Sequence, residues 1–345
     1  MPSKQSLIAA ALLACLAAPP ATPARAADVT HLRVADSLPS GHYIFRLMLK
    51  PWMDEVTRRT DGAVVFDYFP GQQLGKAADM LSLTQNGVTD IGYIGPAYVS
   101  DKMPVSEVAM LPDSFANSCE GTRAYWKVAR DGIVAKQDYV PNKIRLMLAV
   151  ALPPYQILTI KTPVTALGDV KGLKLRSTGG AQDILARTLG AVPVRMAAPD
   201  TYESLSRGTL DGVVFPLDSV VSYNLEKLLG YSTENANFSS FILAYSISDA
   251  SWKKLKPEVQ NIMQEVADEV VLSACAGIDQ QDAAIKQKLT QAGVKFQPLT
   301  PAASAEFGTV AKEVADKWAT GLDARGKPGS DALAEFRAVL AAPAK

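Results

Sequence analysis

Histidine is nearly missing from this sequence: its 345 residues hold two, His31 and His42. Multi-histidine metal centres therefore cannot be assembled, and Ser-His-Asp or Cys-His catalysis would have to pass through one of those two side chains. Cysteine is almost as scarce, with three residues, too few for a disulfide-stapled scaffold. Net charge is missing as well. The 35 basic and 35 acidic side chains cancel, leaving no surplus for a phosphate backbone, so nucleic acid is not an expected partner. The sequence has no G-x-G-x-x-G after a strand, no Walker loop, no G-x-S-x-G, no H-E-x-x-H and no EF-hand loop. Asp67 with Asp113, or Glu203 with Asp211, would be carboxylate pairs for glycoside chemistry, yet nothing in their spacing sets them apart from surface acids or helix caps. Neither enzymatic activity nor a cofactor is expected.

What is present begins with a secretory signal. Lys4 precedes the uncharged apolar run Leu7 to Ala18, and Ala24-Arg25-Ala26 ends the segment as a small-residue cleavage site. The apolar run is too short for a membrane anchor, which needs about 20 residues. A lipoprotein signal at Leu12-Leu13-Ala14-Cys15 is the weaker alternative. Cleavage after Ala26 removes Lys4 and Arg25 and leaves a slightly acidic mature chain. Export to the periplasm follows. It permits a disulfide between Cys119 and Cys275, although two thiols so far apart in sequence are more often separate small core residues.

Strand and helix patterns alternate along the chain. His31 to Asp36 reads as a strand, and Phe45 to Val56 as a helix that Pro51 either kinks or opens. A strand Val64 to Tyr68, a helix from about Lys76 to Asn86 and a strand Asp90 to Ile94 follow. A second series comprises Ile144 to Val150, Tyr155 to Lys161, Leu173 to Arg176, the helix Ala181 to Leu189, Val192 to Arg195, the helix Thr201 to Arg207 and Gly212 to Phe215. This alternation indicates open α/β sheets in two units. The units echo each other: Gln85-Asn-Gly-Val-Thr-Asp90 and Arg207-Gly-Thr-Leu-Asp211 both read helix end, glycine, then aspartate at a strand start. From Pro257, one apolar face runs through Val259, Ile262, Met263, Val266, Val270, Ala274 and Ile278 towards Gly293. That is one helix of about 35 residues and roughly 50 Å, long enough to cross two domains. Phe307 to Trp318 and Ala332 to Leu340 read as short amphipathic helices.

The segment richest in chemistry is Leu167-Gly-Asp-Val-Lys-Gly-Leu-Lys-Leu-Arg176-Ser-Thr-Gly-Gly180. Arg176 ends a strand and Gly179-Gly180 leads into a helix. A guanidinium there can hold a carboxylate by two parallel hydrogen bonds, beside helix N-terminal amides that also favour an anion. A surface arginine in a domain-joining loop is the plainer alternative.

With this segment the sequence resembles the solute-binding proteins of tripartite ATP-independent periplasmic (TRAP) transporters, over nearly the whole mature chain. The resemblance rests on Leu32-Arg-Val-Ala with Pro39-Ser-Gly-His42, Phe69-Pro-Gly-Gln-Gln-Leu-Gly75, Asp90-Ile-Gly-Tyr, and the segment ending at Arg176. It continues in Leu189-Gly-Ala-Val-Pro-Val, Tyr202-Glu-Ser-Leu and Gly208-Thr-Leu-Asp-Gly212. It implies an α/β two-domain periplasmic-binding-protein fold: two mixed sheets flanked by helices, a ligand cleft between them, and one long helix across both domains. The implied division is a signal peptide 1–26, domain I of 27–152 plus about 242–275, domain II of about 153–241 plus about 276–320, and a C-terminal tail 321–345. It also implies capture of a small organic acid by cleft closure, delivery to membrane permease subunits, and no catalysis.

The resemblance places the ligand carboxylate on Arg176, the arginine of the K-x-R motif, and sets His42, Ile94, Gly95, Tyr98, Tyr155, Gln156 and Phe215 around the ligand. For His42 a capping or surface role is the alternative. This sequence departs from the family in one direction. Tyr98 stands where sugar-acid-binding relatives place a second arginine, Gln156 where a further arginine is frequent, and Phe215-Pro216 where Asn-Pro is usual. A second carboxylate or a polyol would need buried donors, and leaving one such group unpaired costs about 1–3 kcal/mol. The replacements remove donors and add apolar area worth about 25 cal/mol per Å² buried. The expected ligand is a monocarboxylate with an apolar or aromatic body. A receptor reporting to a signalling partner and an exported hydrolase using His42 are the competing readings. Asp218 or Glu226 as holders of a bridging cation form no ligand cluster in the sequence, so no metal is expected. The tail Asp331 to Leu340 is short for a dimer-forming helix, and a monomer is expected.

Overall fold

The computed structural model describes residues 29–343; the expected signal peptide lies outside them. Among the described residues eleven strands form two sheets. The first contains β1 (Thr30–Ala35), β2 (Val64–Phe69), β3 (Ile91–Tyr93), β4 (Ile144–Ala151) and β10 (Ile242–Ser248) in the order β2-β1-β3-β10-β4. The second contains β5 (Gln156–Thr159), β6 (Lys174–Ser177), β7 (Val192–Arg195), β8 (Gly212–Phe215), β9 (Tyr231–Glu234) and β11 (Lys295–Pro298) in the order β11-β9-β5-β8-β6-β7. In each sheet three parallel strands adjoin one antiparallel strand, β10 beside β3 and β5 beside β8. The chain thus crosses between sheets after β4 and again before β10, through 152–155 and 235–241. These are two mixed sheets flanked by helices in two domains.

The sequence echo has a structural basis. Asp90 Oδ2 accepts the backbone N–H of Arg33 at 2.9 Å, and Asp211 Oδ2 accepts that of Lys174 at 2.8 Å. Each aspartate therefore ties the strand it precedes to the parallel strand beside it, β3 to β1 and β8 to β6. The glycines preceding them, Gly87 and Gly208, have φ of 72° and 70°, left-handed geometry that ends a helix and that glycine adopts without a steric penalty.

Pro51 opens the α-helical stretch Lys50–Arg59, after a π-helical turn Phe45–Leu49 in which Lys50 N–H reaches back to Phe45 O. The helix is continuous through this point, and the proline, which has no N–H to donate, sits just where the ladder changes from π to α spacing. The long helix runs Pro257–Gln291, 35 residues. Its first half buries Met263, Val266, Ala267, Val270, Val271 and Ala274 under the first sheet, where Trp52 Nε1 donates to Met263 O at 3.1 Å. Its second half reaches the other domain, with Leu289 buried beside Val294 and Leu205 and Lys286 paired to Glu234 at 2.6 Å. One helix therefore belongs to both cores.

Two expectations need correction. Cys119 and Cys275 are not separate core thiols: they form a disulfide, with Cα atoms 4.8 Å apart. The helix expected at Phe307 to Trp318 spans Pro301–Asp323. Its start carries a signal the apolar pattern does not show, Thr300 accepting from Ala303 N–H at 3.2 Å with Pro301 in the first turn. The last helix, Gly329–Ala341, packs Phe336 into the core, and Glu335 accepts the backbone N–H of Ile133 at 3.2 Å.

Candidate functional site

The C-terminal ends of the parallel strands of both sheets open towards the space between the domains, the usual place for a ligand in open α/β sheets. At the end of β6 stands Arg176, which is only 1% exposed. Its Nε donates to Met196 O at 3.2 Å, its Nη2 donates to Tyr98 Oη at 3.4 Å, and its carbon centre lies 4.8 Å from the Phe215 ring centroid. Nη1 has no partner. A buried guanidinium with a free donor is costly unless an acceptor arrives, and a carboxylate is the acceptor that matches its planar fork.

Tyr98 belongs to the first domain and Arg176 to the second. The same phenol oxygen accepts the N–H of Ala198 at 3.2 Å, and Arg195 Nη2 donates to Ala97 O at 3.0 Å. These contacts tie the two lips of the cleft together. The helix Gly180–Thr188 beside Arg176 does not add the anion-binding amides expected of it. Glu107, from the first domain, accepts the N–H of Ala181 at 2.7 Å and fills that position. Burial holds the Glu107 carboxyl above its ordinary range, with bonds from Ser100 and Ala181 opposing.

Aromatic rings line the rest. Phe215 meets Tyr155 at 6.2 Å and Tyr223 edge-on at 6.1 Å. Tyr223 meets His42 at 5.6 Å, and His42 stacks on Tyr43 at 4.6 Å. Tyr98 packs on Phe241 at 5.1 Å. His42 Nδ1 accepts the backbone N–H of Ile44 at 3.3 Å, and burial pushes the ring down to about 3. His42 is therefore neutral near pH 7. The hydroxyls of Tyr43 and Tyr223 are buried without partners among the described residues. Burial pushes the Tyr223 phenol well up; Tyr98 and Asp36 add to this and Arg176 opposes it, so Tyr223 lies within the field of both charged groups.

The remaining expected residues are placed as follows. Ile94 is 1% exposed within the first core, and Gly95 has Phe241 and Tyr98 packed where a side chain would begin. The amide of Gln156 is taken up by the second sheet, donating to Ala236 O at 2.6 Å and accepting from Thr233 Oγ1 at 2.8 Å. It borders a groove of about 600 Å³ with Asp113, Asn117, Thr233, Asp279 and Lys286, and none of Arg176, His42, Tyr98 or Phe215 lines that groove. Tyr43 and Tyr223 were not legible as site residues. Tyr43 adjoins His42, which could have drawn attention to it, but Tyr223 follows a short helix with no motif around it.

Two carboxylates lie close by. Asp36, at the end of β1, accepts from Tyr245 Oη at 2.7 Å, Tyr68 Oη at 3.0 Å and Leu38 N–H at 2.8 Å, and burial pushes it up to about 6. Asp218 is 2% exposed with both oxygens unpartnered, and burial, aided by Asp282, pushes it up to about 7. Among the described residues, no three His, Cys, Asp or Glu side chains converge as metal ligands.

The chain is similar to the crystal structure of a TRAP periplasmic solute-binding protein from Bordetella bronchiseptica with bound (R)-mandelate and (S)-mandelate. The TM-score is 0.81 and the identity 27%, over 90% of this chain and 98% of that one. A TRAP solute-binding protein from Rhodoferax ferrireducens in complex with copurified benzoate shares the fold, with a TM-score of 0.84 and 23% identity over 91% of this chain and 98% of that one. The C4-dicarboxylate-binding periplasmic protein DctP of Rhodobacter capsulatus is 24% identical, over 82% of this chain and 83% of its own length. The profile of the bacterial extracellular solute-binding proteins of family 7 matches residues 34–321, and with a cleft built around one buried arginine the chain belongs to that family, the solute-binding proteins of TRAP transporters.

Proposed function

We propose that this protein is a periplasmic receptor that closes on a monocarboxylate with an aromatic or otherwise apolar body and delivers it to TRAP permease subunits. The observation that carries the reading is Arg176, buried with Nη1 unpartnered. One fixed cation suits one carboxylate. Around it stand Phe215, Tyr155, Tyr98, Tyr223 and His42, ring surfaces that favour a flat apolar body over a polyol. Tyr98 supplies a phenol where sugar-acid receptors place an arginine, and the Bordetella bronchiseptica relative holds mandelate. Arg176 binds the carboxylate, Phe215 and Tyr155 cover the body, and Tyr98 couples ligand binding to closure through Ala198. Nothing in this assignment calls for bond cleavage.

The test uses protein unfolded and refolded free of bound ligand. Mandelate, benzoate and a branched 2-oxo acid are compared with succinate and a sialic acid by calorimetry and thermal shift. Tight binding of an aryl or branched acid, weakened about a hundredfold in Arg176→Ala, is the expected result, since losing the partner of a buried charge costs about 3 kcal/mol. Tight succinate binding without any aryl or branched acid overturns the reading.

A further inference from the structure

The two walls of the cleft are chemically different. One is Arg176. On the other, His42 and Tyr223 face each other with ring centroids 5.6 Å apart, and neither has its polar tip engaged by the protein. Tyr223 Oη is buried without a partner. His42 Nδ1 already accepts the Ile44 N–H, so the ring's own proton sits on Nε2, which donates to nothing among the described residues. A buried hydroxyl left unpaired carries a desolvation penalty that a ligand oxygen would relieve. Tyr223 is joined to the Arg176 wall through Phe215, which it meets edge-on and over which the guanidinium lies. An aryl ring lying along Phe215 can therefore touch both walls.

Resting on the aryl-acid reading, we propose that the ligand carries a second, uncharged oxygen, a hydroxyl or a carbonyl, bound by His42 Nε2–H and Tyr223 Oη. The ligand class is then hydroxyaryl, 2-hydroxy-2-aryl or 2-oxo aryl carboxylates. A second carboxylate is disfavoured at this wall because both donors are neutral. An ammonium group is disfavoured because His42, with Nδ1 taken by the Ile44 N–H, has only a donor left at Nε2.

The test pairs acids that differ by one oxygen: benzoate with 3- and 4-hydroxybenzoate, phenylacetate with mandelate, and 3-phenylpropionate with phenylpyruvate, with phthalate as the dianionic control. Calorimetry on ligand-free protein is expected to show the oxygenated member of at least one pair bound roughly tenfold tighter. In Tyr223→Phe the ratio within that pair is expected to fall towards one. His42→Gln, which keeps an N–H donor, is expected to retain more of the ratio than His42→Phe. Equal affinity within every pair, an unchanged ratio in Tyr223→Phe, or phthalate binding as tightly as the best monoacid overturns the inference while leaving the aryl-acid reading standing. If neither parent nor oxygenated acids bind, that reading falls and this inference with it.

Discussion

Glu107 of the first domain accepts the backbone N–H of Ala181 at 2.7 Å and so caps a helix of the second domain. A helix N-terminus next to a strand-end arginine reads in sequence as an anion site for a ligand. Here a carboxylate from the chain itself takes the position, and the buried Arg176 beside it keeps Nη1 unpartnered among the described residues. The Gly179-Gly180 pair is explained by the same contact. Gly180 has φ of 49°, and a side-chain carbon there would fall inside the Glu107 carboxylate.

Removing either half of that contact is expected to destabilise the folded protein. Glu107→Ala leaves the helix end uncapped, a loss of about 1–2 kcal/mol. Gly180→Ala meets both the left-handed backbone and the carboxylate, at about 1–3 kcal/mol for the strain alone. Thermal unfolding should show lower midpoints for both variants. A midpoint unchanged in Glu107→Ala would mean the cap contributes nothing.

The Cys119–Cys275 disulfide fixes the long helix where it leaves the first domain. One turn further on, Asp279 accepts the N–H groups of Ser118 and Cys119 at 2.8 and 3.0 Å, capping the helix Ser118–Arg130. The two links join the same pair of helices, so their contributions should be coupled. Reduction, or Cys119→Ala with Cys275→Ala, is expected to cost about 2–5 kcal/mol. In a double-mutant cycle, adding Asp279→Ala should depart from additivity by more than about 0.5 kcal/mol. Strict additivity in denaturant titrations would show that the links act separately.

The regular elements were legible because each carries its own period. The alternation around Leu32 and Val34 gives β1, and the 3.6-residue face from Val259 to Ile278 gives the long helix, whose 35 residues match the length expected of it. The place of Arg176 near the end of a strand was legible because the apolar pattern and the following Gly179-Gly180 marked where that strand stops. Contacts between distant residues were not. That Glu107 would cap Ala181 or that Tyr223 would face His42 depends on how the two domains close over each other, and that Cys119 would meet Cys275 depends on how two helices pack against the first sheet. No local period encodes that. Gln156 shows the same limit. Its position in the chain suggests the ligand, while its hydrogen bonds go to Thr233 and Ala236 of the neighbouring segment.

Asp218 offers a test through pH. Its folded-state value is raised from 3.8 to about 7, chiefly by burial. Between those values the folded protein holds a proton that the unfolded chain has released. Stability from this group therefore falls as pH rises through the window, by up to about 1.4 kcal/mol per pH unit, and levels off above it. Asp36 and Asp138, raised to about 6 and about 7, act in the same direction. His42, lowered from 6.5 to about 3 by burial, acts oppositely: its neutral form is favoured in the fold, so its contribution falls away as pH drops below 6.5. The overall pH profile mixes these slopes, and only a paired comparison isolates one group. Asp218→Asn keeps the shape and removes the charge. The variant is expected to unfold at a higher temperature than the parent protein at pH 8, with the difference shrinking steadily towards pH 4. A difference that stays constant from pH 4 to pH 8 would show that Asp218 does not change protonation on folding.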